Sequence, residues 1–400
     1  MKTKLHLRAC TVTSALGRGM AAHQQALLQQ RSGLRPCDLE DVDLNTWIGR
    51  VDGLENRPIE DRLSDYDCRN NRLAQLGLEQ DGFMQAVAAS RSQHGGQRIG
   101  VFIGTSTSGI QQAEQAYAKT DATGRLPDSF NYPCTHNVFS SADYLQRVLQ
   151  LQGPAQVIST ACSSSAKVFA TAYRFMQAGL CDAAIVGGVD SLCQTTLYGF
   201  DSLQLLSSHP CRPADQARDG ISIGEAAGFA LLEWATDTND DDICLLGYGE
   251  SSDAYHISSP HPQGKGALLA MQGALESAQL EAEQIDYLNL HGTATPANDA
   301  AEDQAVYALF NDTVPCSSTK GFTGHTLGAA GMLEVALACI AIENDLLPVS
   351  LNTTQRDPDI QSAIVMPAQN ITQGQSINRV MSNAFGFGGS NISLIIGRSS

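Results

Sequence analysis

The sequence predicts an α/β protein with buried, largely parallel sheets. Three observations carry that prediction. Short β-branched or apolar runs alternate with amphipathic helical stretches over the whole length, the pattern of strands covered by helices on both faces. Glycine is abundant and clusters where one element gives way to the next. Two stretches, 156–173 and 314–342, echo one another. Each is an apolar strand, a Ser-Thr turn bearing a reactive side chain, and a helix of small residues. Such an echo implies a duplicated half-fold with both turns at one shared centre.

The elements follow in order. Residues 99–103, Ile-Gly-Val-Phe-Ile, read as a buried strand. Behind a short apolar run at 157–158, Ala166, Phe169, Ala170, Tyr173 and Met176 recur at helical spacing, and Gly179 offers a stop. Residues 183–186 form the next strand. At 236–242 Asp and Asn cluster without periodicity. That segment is either the seam between halves, 1–239 and 240–400, or an exposed loop within one domain. Past it come the apolar run 287–290, a strand ending at Ser317-Ser318-Thr319, a helix packed with Gly328, Ala329, Ala330 and Gly331, and the strand 392–396.

Four hundred residues can bury one large core or two fused ones. With 42% hydrophobic and 17% charged residues, the chain reads as an ordinary globular protein. A net charge of −17 excludes the basic face that a nucleic-acid binder needs, and it disfavours adhesion to an anionic membrane. No apolar run approaches the roughly 18 residues of a membrane helix. Arg8 interrupts the stretch from which a signal core would be built, so the expected location is cytoplasmic. The eleven cysteines are odd in number and scattered, with no C-x-x-C pair. That argues against a disulfide framework and a zinc cage. Ten are expected to be buried, reduced and inert, and neither metal nor cofactor is expected.

Cys162 is the exception to look for. It sits on a strand-to-helix turn, 157–165, where a helix dipole and unpaired backbone N–H groups favour thiolate over thiol. This is where a sulfur nucleophile would be built, although a free cysteine is more often a small buried hydrophobe. Three further segments bear chemistry. His291, followed by Gly292-Thr293, ends an apolar strand, as sites in α/β proteins do; alone it reads more often as a satisfied structural histidine. Lys320 and His325 stand five apart in a glycine-rich turn before a helix. Lys320 is either a solvated charge or a buried one that needs a partner, and Glu334 on the next helix can supply it. Residues 383–391, Asn-Ala-Phe-Gly-Phe-Gly-Gly-Ser-Asn, look like a dinucleotide fingerprint but lead into a strand instead of a helix. A glycine-rich loop with two Phe residues suits a hinged apolar gate whose amides are free for an anion.

These segments resemble, in order and spacing, the β-ketoacyl-acyl carrier protein synthases of the elongating Cys-His-His type. The likeness rests on Thr160-Ala161-Cys162, His291-Gly292-Thr293, Lys320 with Gly324-His325, and 383–391. Secondary matches are 212–215 with 218–220, 224–228, and 251–256. The resemblance covers nearly the whole chain. It implies the thiolase fold, two αβα halves in five αβαβα layers, usually assembled as two chains. It also implies a reaction: decarboxylative condensation of a Cys162-bound acyl chain with malonyl-acyl carrier protein, adding two carbons in fatty acid or polyene biosynthesis. Cys162 and Phe387 would supply the oxyanion N–H donors, and His291 and His325 would hold the enolate oxygen. Lys320 would orient that pair, backed by Glu334. Phe385, Gly386, Phe387, Gly388 and Gly389 would form the gate, and Thr107 would lie near the acyl-pocket floor.

The expected partners are acyl- and malonyl-loaded carrier protein, linked through phosphopantetheine, and a second synthase chain. That chain would be either an identical copy or a chain-length-factor-like subunit, with 131–140 reaching it. Three neighbours of this reading fit less well. A thiolase-type acyltransferase would put a second cysteine in place of one histidine, an initiating synthase would put asparagine at 325, and a chain-length subunit would lack Cys162. The stretch 66–74 resembles synthases of aryl-polyene clusters, with general fatty-acid elongation as the rival. Two departures stand out. Arg8-Ala9-Cys10 replaces the family's opening glycine-rich strand, which should alter only an edge. Gln204 stands where many relatives carry an arginine for the carrier protein. For docking, Arg62, Arg69 and Arg72 would share one helical face, unless interleaved Asp61, Asp65 and Asp67 make it a solvated mixed-charge surface.

Overall fold

A computed structural model describes residues 4–234, 241–367 and 376–399. Ten strands form one continuous hydrogen-bonded ladder. They are β1 (Leu5–Ser14), β2 (Ile99–Gly104), β3 (Ala155–Ile158), β4 (Ala183–Asp190), β5 (Ala226–Trp234), β6 (Ile243–Ser252), β7 (Tyr287–Asn289), β8 (Cys316–Ser317), β9 (Arg379–Gly386) and β10 (Ser390–Arg398). Their order is β3-β2-β4-β5-β1 and then β6-β10-β9-β7-β8, so the second five mirror the first. The senses repeat too. β2 is parallel to β3 and β4, as β7 is to β8 and β9, while β5 and β10 run antiparallel to their neighbours. The duplication heard in the sequence is therefore present in the topology. The expected seam at 236–242 falls mostly, and the boundary at 239–240 wholly, outside the described residues.

Alternating side chains sort the strands between cores, as a period of two requires. On β2 and β4, Val101, Ile103 and Ile185 face an outer core with the helices α1 (Arg69–Leu78) and α2 (Ser140–Leu149). Phe102, Ala184 and Val186 face the opposite way, into a central core. On the second set, Leu288, Met381 and Ile395 face another outer core, under α4 (Lys265–Ala278) and α5 (Pro296–Phe310), while Val380, Leu394 and Ile396 face the centre. Between the sheets lie α3 (Ser164–Gln177) and α6 (Ala330–Asn344). The result is five layers, helix-sheet-helix-sheet-helix.

Three expectations need correction. The stretch Leu327–Asn344 is long and apolar enough to cross a membrane. Every residue from Ala330 to Ile342 is buried, because a helix packed between two sheets has no solvent face to make polar. In addition, β1 is not at an edge. It lies in the middle of the ladder, paired with β5 on one side and with β6 on the other at Leu5↔Leu245 and His6↔Cys244. Its register with β5 shifts between Leu7 and Ala9, a bulge that turns Arg8 outward to within 3.4 Å of Glu233. The cysteines are also less uniform than expected: Cys10, Cys37 and Cys134 are half-buried.

Candidate active site

Each chemistry-bearing residue lies just past the carboxyl end of a strand. Cys162 follows β3, His291 follows β7, Lys320 and His325 follow β8, and the glycine-rich loop follows β9. The duplicated topology brings these ends to one place, as α/β sheets do for their ligand sites.

The nucleophile turn is tight. Ala161 adopts φ 53°, a left-handed conformation unusual for a residue with a Cβ. The Ser164 hydroxyl closes the turn, donating to the Ala161 carbonyl at 2.6 Å and accepting from the Thr160 N–H at 2.9 Å. The turn passes so close to β9 that a Cβ on Gly386 would sit 2.5 Å from the Thr160 carbonyl oxygen. Only glycine lets the gate strand run there.

Cys162 Sγ lies 2.9 Å from His325 Nε2. His291 completes the cluster: the sulfur and one ring nitrogen of each histidine lie within 4.8 Å of one another. The two imidazoles meet edge to face, centroids 5.4 Å apart and planes at 84°. All three residues are buried. The His325 backbone is clamped between its N–H to Ser222 O at 2.7 Å and its carbonyl to Gly224 N at 2.9 Å. Neither Nδ1 has a hydrogen-bond partner among the described residues, so no group behind either ring fixes its tautomer.

Lys320 Nζ meets Glu334 Oε1 at 2.5 Å, and both side chains are 2% exposed. This is the buried-and-paired alternative left open by the sequence. Burial holds the Glu334 carboxyl above its usual range against the pull of Lys320. Burial also carries both histidines well below theirs, and the Lys320 charge adds to that. The imidazoles are therefore neutral near pH 7.

The thiol behaves differently from expectation. Burial pushes Cys162 up to about 11, over the opposing pull of the Lys320 charge and the N–H groups of Phe387 and Cys162. Desolvation of the anion outweighs the helix terminus here, so the resting site is a neutral thiol beside a neutral imidazole. The same two N–H groups meet beside the sulfur, close to where the carbonyl oxygen of an acyl group bonded to it would lie.

Cys162 and His325 open onto a cavity of about 280 Å³. All five gate residues, Phe385 to Gly389, line it, and Phe200, Leu205 and Ile221 add an apolar wall. Gly388 and Gly389 take φ 82° and 75°. The loop is held by Gly388 N–H to Ile257 O at 2.7 Å and by Asp253 N–H to Gly389 O at 2.9 Å. Phe387 is 37% exposed, its ring 5.7 Å from that of Phe200.

Thr107 does not line this cavity. It is buried, and its hydroxyl donates to Asp190 at 2.8 Å. Asp190, at the end of β4, was not singled out by sequence reasoning. It also accepts from Thr105 Oγ1, from the N–H groups of Ser106 and Thr107, and, through its other oxygen, from Gly328 N, tying both halves together under the nucleophile. Glu302 was missed as well. Its two oxygens accept the N–H groups of His291 at 2.8 Å and Gly292 at 2.7 Å, which fixes that turn. Asp190 is an acid closing an apolar strand, a signal that could have found it, whereas Glu302 sits among Asp299 and Asp303 in a polar helical turn and carries no such signal.

The proposed docking face does not exist as drawn. Arg69 is 4% exposed and grips Glu225 through Nε at 2.8 Å and Nη2 at 2.6 Å. Arg72 is half-buried on Asp67, with both contacts at 2.6 Å. Arg62 is exposed but sits in a separate 3-10 turn, Asp61–Tyr66, so the three share no helix face. A buried arginine with a matched carboxylate is a structural anchor and cannot greet a partner protein.

Known proteins resemble this chain over most of its length. Residues 71–238 match the β-ketoacyl synthase N-terminal domain and residues 243–354 its C-terminal domain. The 3-oxoacyl-[acyl-carrier-protein] synthase 2 of Vibrio cholerae is 31% identical, covering 99% of each chain. The Staphylococcus aureus protein of that name is also 31% identical, covering 86% of this chain and 88% of its own. Among solved structures, the complex of the ketosynthase ApeO with its chain length factor ApeC from Xenorhabdus doucetiae contains a chain with TM-score 0.90 and 37% identity. The match covers 99% of this chain and 98% of that one. A β-ketoacyl synthase from Burkholderia phymatum gives TM-score 0.87 and 27% identity over the full length of both. With the Cys-His-His cluster at the shared centre of a duplicated thiolase fold, the chain belongs to the β-ketoacyl synthase family, an acyltransferase of the 3-oxoacyl-acyl carrier protein synthase type.

Proposed function

We propose that this chain loads an acyl group onto Cys162 and extends it with malonyl-acyl carrier protein, working beside a chain-length subunit in polyene biosynthesis. The observation that carries the proposal is the 2.9 Å contact between Cys162 Sγ and His325 Nε2, with His291 in the same cluster at the end of an apolar cavity.

The chemistry follows from the resting protonation. A thiol held near 11 is almost fully protonated at pH 7, so its proton must leave as sulfur attacks. His325 Nε2 takes that proton while Sγ bonds to the thioester carbonyl carbon. The carbonyl oxygen gains negative charge between the N–H groups of Cys162 and Phe387. The carbon–sulfur bond to phosphopantetheine then breaks, and its sulfur carries the proton away. In the second half-reaction malonyl loses CO2, and the bonding pair becomes an enolate. Its oxygen accepts ring N–H donation from His291 and His325, whose low basicity keeps them neutral donors. The enolate carbon attacks acyl-Cys162, and the sulfur leaves and regains a proton. Lys320, neutralised by Glu334, orients the pair. Phe387 swings between cavity and Phe200 to admit malonyl only after acyl loading. The chain divides functionally at 239–240, the nucleophile in one half and the histidines, lysine and gate in the other.

The likeness to a chain of the ApeO–ApeC complex and the stretch 66–74 support the polyene assignment and a heterodimer. The relatives termed synthase 2 favour fatty-acid elongation as the second reading. The test is a panel of saturated and polyunsaturated acyl-carrier proteins, read as masses on Cys162, for the chain alone and co-purified with a neighbour-encoded subunit. Polyunsaturated loading that needs the subunit supports the proposal. Saturated loading by the chain alone supports elongation, and equal loading of every substrate contradicts the polyene assignment.

A further inference from the structure

We infer that Cys162, His291 and His325 form a coordination site for a thiophilic divalent cation of the zinc class, which would occupy the nucleophile and silence it reversibly. Sequence spacing gave no hint of such a site, because the ligands lie 129 and 34 residues apart in the chain and meet only through the duplicated topology.

The donor set is the first argument. One thiol and two imidazoles are the ligands that borderline-soft d10 ions select, and three protein ligands with one open position is an ordinary zinc arrangement. Geometry is the second. Tetrahedral bonds of about 2.0–2.3 Å place donor atoms about 3.3–3.6 Å apart. Here the sulfur and the two nitrogens all lie within 4.8 Å, and the Cys162–His325 pair stands at 2.9 Å. Small side-chain rotations, opening one pair by less than 1 Å and closing another by little more than 1 Å, satisfy the ion.

Availability is the third argument. Both rings are buried, and the Nδ1 atom of each is unpartnered among the described residues, so turning a ring to face an ion breaks no hydrogen bond at that nitrogen. Access is the fourth: Cys162 and His325 open onto the 280 Å³ cavity, which leaves room for a water or chloride at the fourth position. The charge environment is mixed: the Lys320 charge reaches all three ligands but is paired with Glu334, and the buried Asp190 carboxylate acts on the sulfur in the opposite sense. Coordination forms a sulfur–metal bond, breaks the S–H bond and releases that proton to solvent. With no carboxylate among the described residues behind either ring to raise its basicity, binding should be reversible, unlike a structural zinc site. An acyl group on the sulfur removes the key ligand, so loaded enzyme should be protected.

The site depends on its donor set, geometry and access, and it stands or falls separately from the condensation chemistry. The full chain is titrated with cadmium chloride, followed by thiolate-to-cadmium charge-transfer absorption and calorimetry, and zinc chloride is then used as competitor. One equivalent is expected to bind, with the absorption lost in Cys162→Ser. Affinity should fall at least about tenfold in His291→Ala and in His325→Ala, since even the loss of a group behind a ligand costs that much. Half-buried Cys10, Cys37 and Cys134 contribute a background common to every variant. Equal absorption in Cys162→Ser, or unchanged affinity in either histidine variant, overturns the inference. If one histidine variant fails to give the native circular dichroism spectrum, the other decides.

Discussion

Replacing Arg69 by methionine should weaken the fold and leave carrier-protein recognition alone. The side chain sits at the start of α1, 4% exposed, and makes two charge-assisted bonds to Glu225, which is 0% exposed. Arg69 Nη1 also reaches Glu55, but Glu55 keeps Arg50. Glu225 is the group left stranded. It would retain the N–H groups of Val51 and Leu192 and lose its only counter-charge among the described residues. Removing one member of a buried ion pair costs about 3–5 kcal/mol, because the survivor stays buried and uncompensated. Unfolding entropy of about 2.1 cal/mol/K per residue gives about 0.8 kcal/mol per degree for a chain of 400 residues. The melting temperature should therefore drop by about 4–6 °C, measured by scanning calorimetry. The double variant Arg69→Met, Glu225→Leu should recover much of that loss, since an apolar replacement of a whole buried pair is often neutral. Exposed Arg62→Met should move the melting point by less than about 1 °C, as surface changes usually stay within about 0.5 kcal/mol. An Arg69→Met chain that melts like wild type but shows a raised KM for malonyl-carrier protein would refute the reasoning and restore Arg69 as a docking residue.

Other consequences are open to direct measurement. Alkylation of Cys162 by iodoacetamide should rise about tenfold per pH unit from pH 6 to 9.5 without levelling, because the thiol is held up to about 11; a plateau near pH 7 would mean a preformed thiolate. Burial raises the Glu302 carboxyl to about 7 from 4.5. Its folded form binds the proton more tightly, so its contribution to stability is complete below about 4.5 and declines as pH rises to about 7. Relative to wild type, Glu302→Gln should gain stability across that window, by at most about 1.4 kcal/mol per pH unit, read from urea midpoints; parallel curves would contradict this. Gly386→Val puts a Cβ 2.5 Å from the Thr160 carbonyl and 3.0 Å from Ser163 Oγ. Strand and nucleophile turn must then part, the Phe387 N–H is drawn off the proposed oxyanion position, and single-turnover acylation should slow about 10²–10³-fold.

The motif residues were legible because their chemistry is local. A cysteine on a strand-to-helix turn, a histidine at a strand end and a lysine with a carboxylate on the next helix all announce themselves within a few residues. The duplicated α/β organisation was legible for the same reason: each half repeats a short strand, turn and small-residue helix. What the sequence hid is set by burial. The helical dipole at Cys162 can be read from spacing, but the desolvation that overrides it depends on what packs around the sulfur. Arg69 looked like a surface cation because Glu225, which buries it, lies 156 positions away. Asp190 and Glu302 carry no motif, yet their carboxylates accept the backbone N–H groups that hold the two turns in place. The membrane-length helix Leu327–Asn344 was overlooked because small residues and two glutamates interrupt its apolar run, although it packs between sheets as far as Ile342.

The most direct test of the central claim is the intact mass of the protein after incubation with acyl-loaded carrier protein, with Cys162→Ser alongside. The account predicts one acyl increment on the wild-type chain, mapped by peptide analysis to residue 162 and absent from the variant. An unmodified wild-type chain, or an equal increment on the variant, would contradict it.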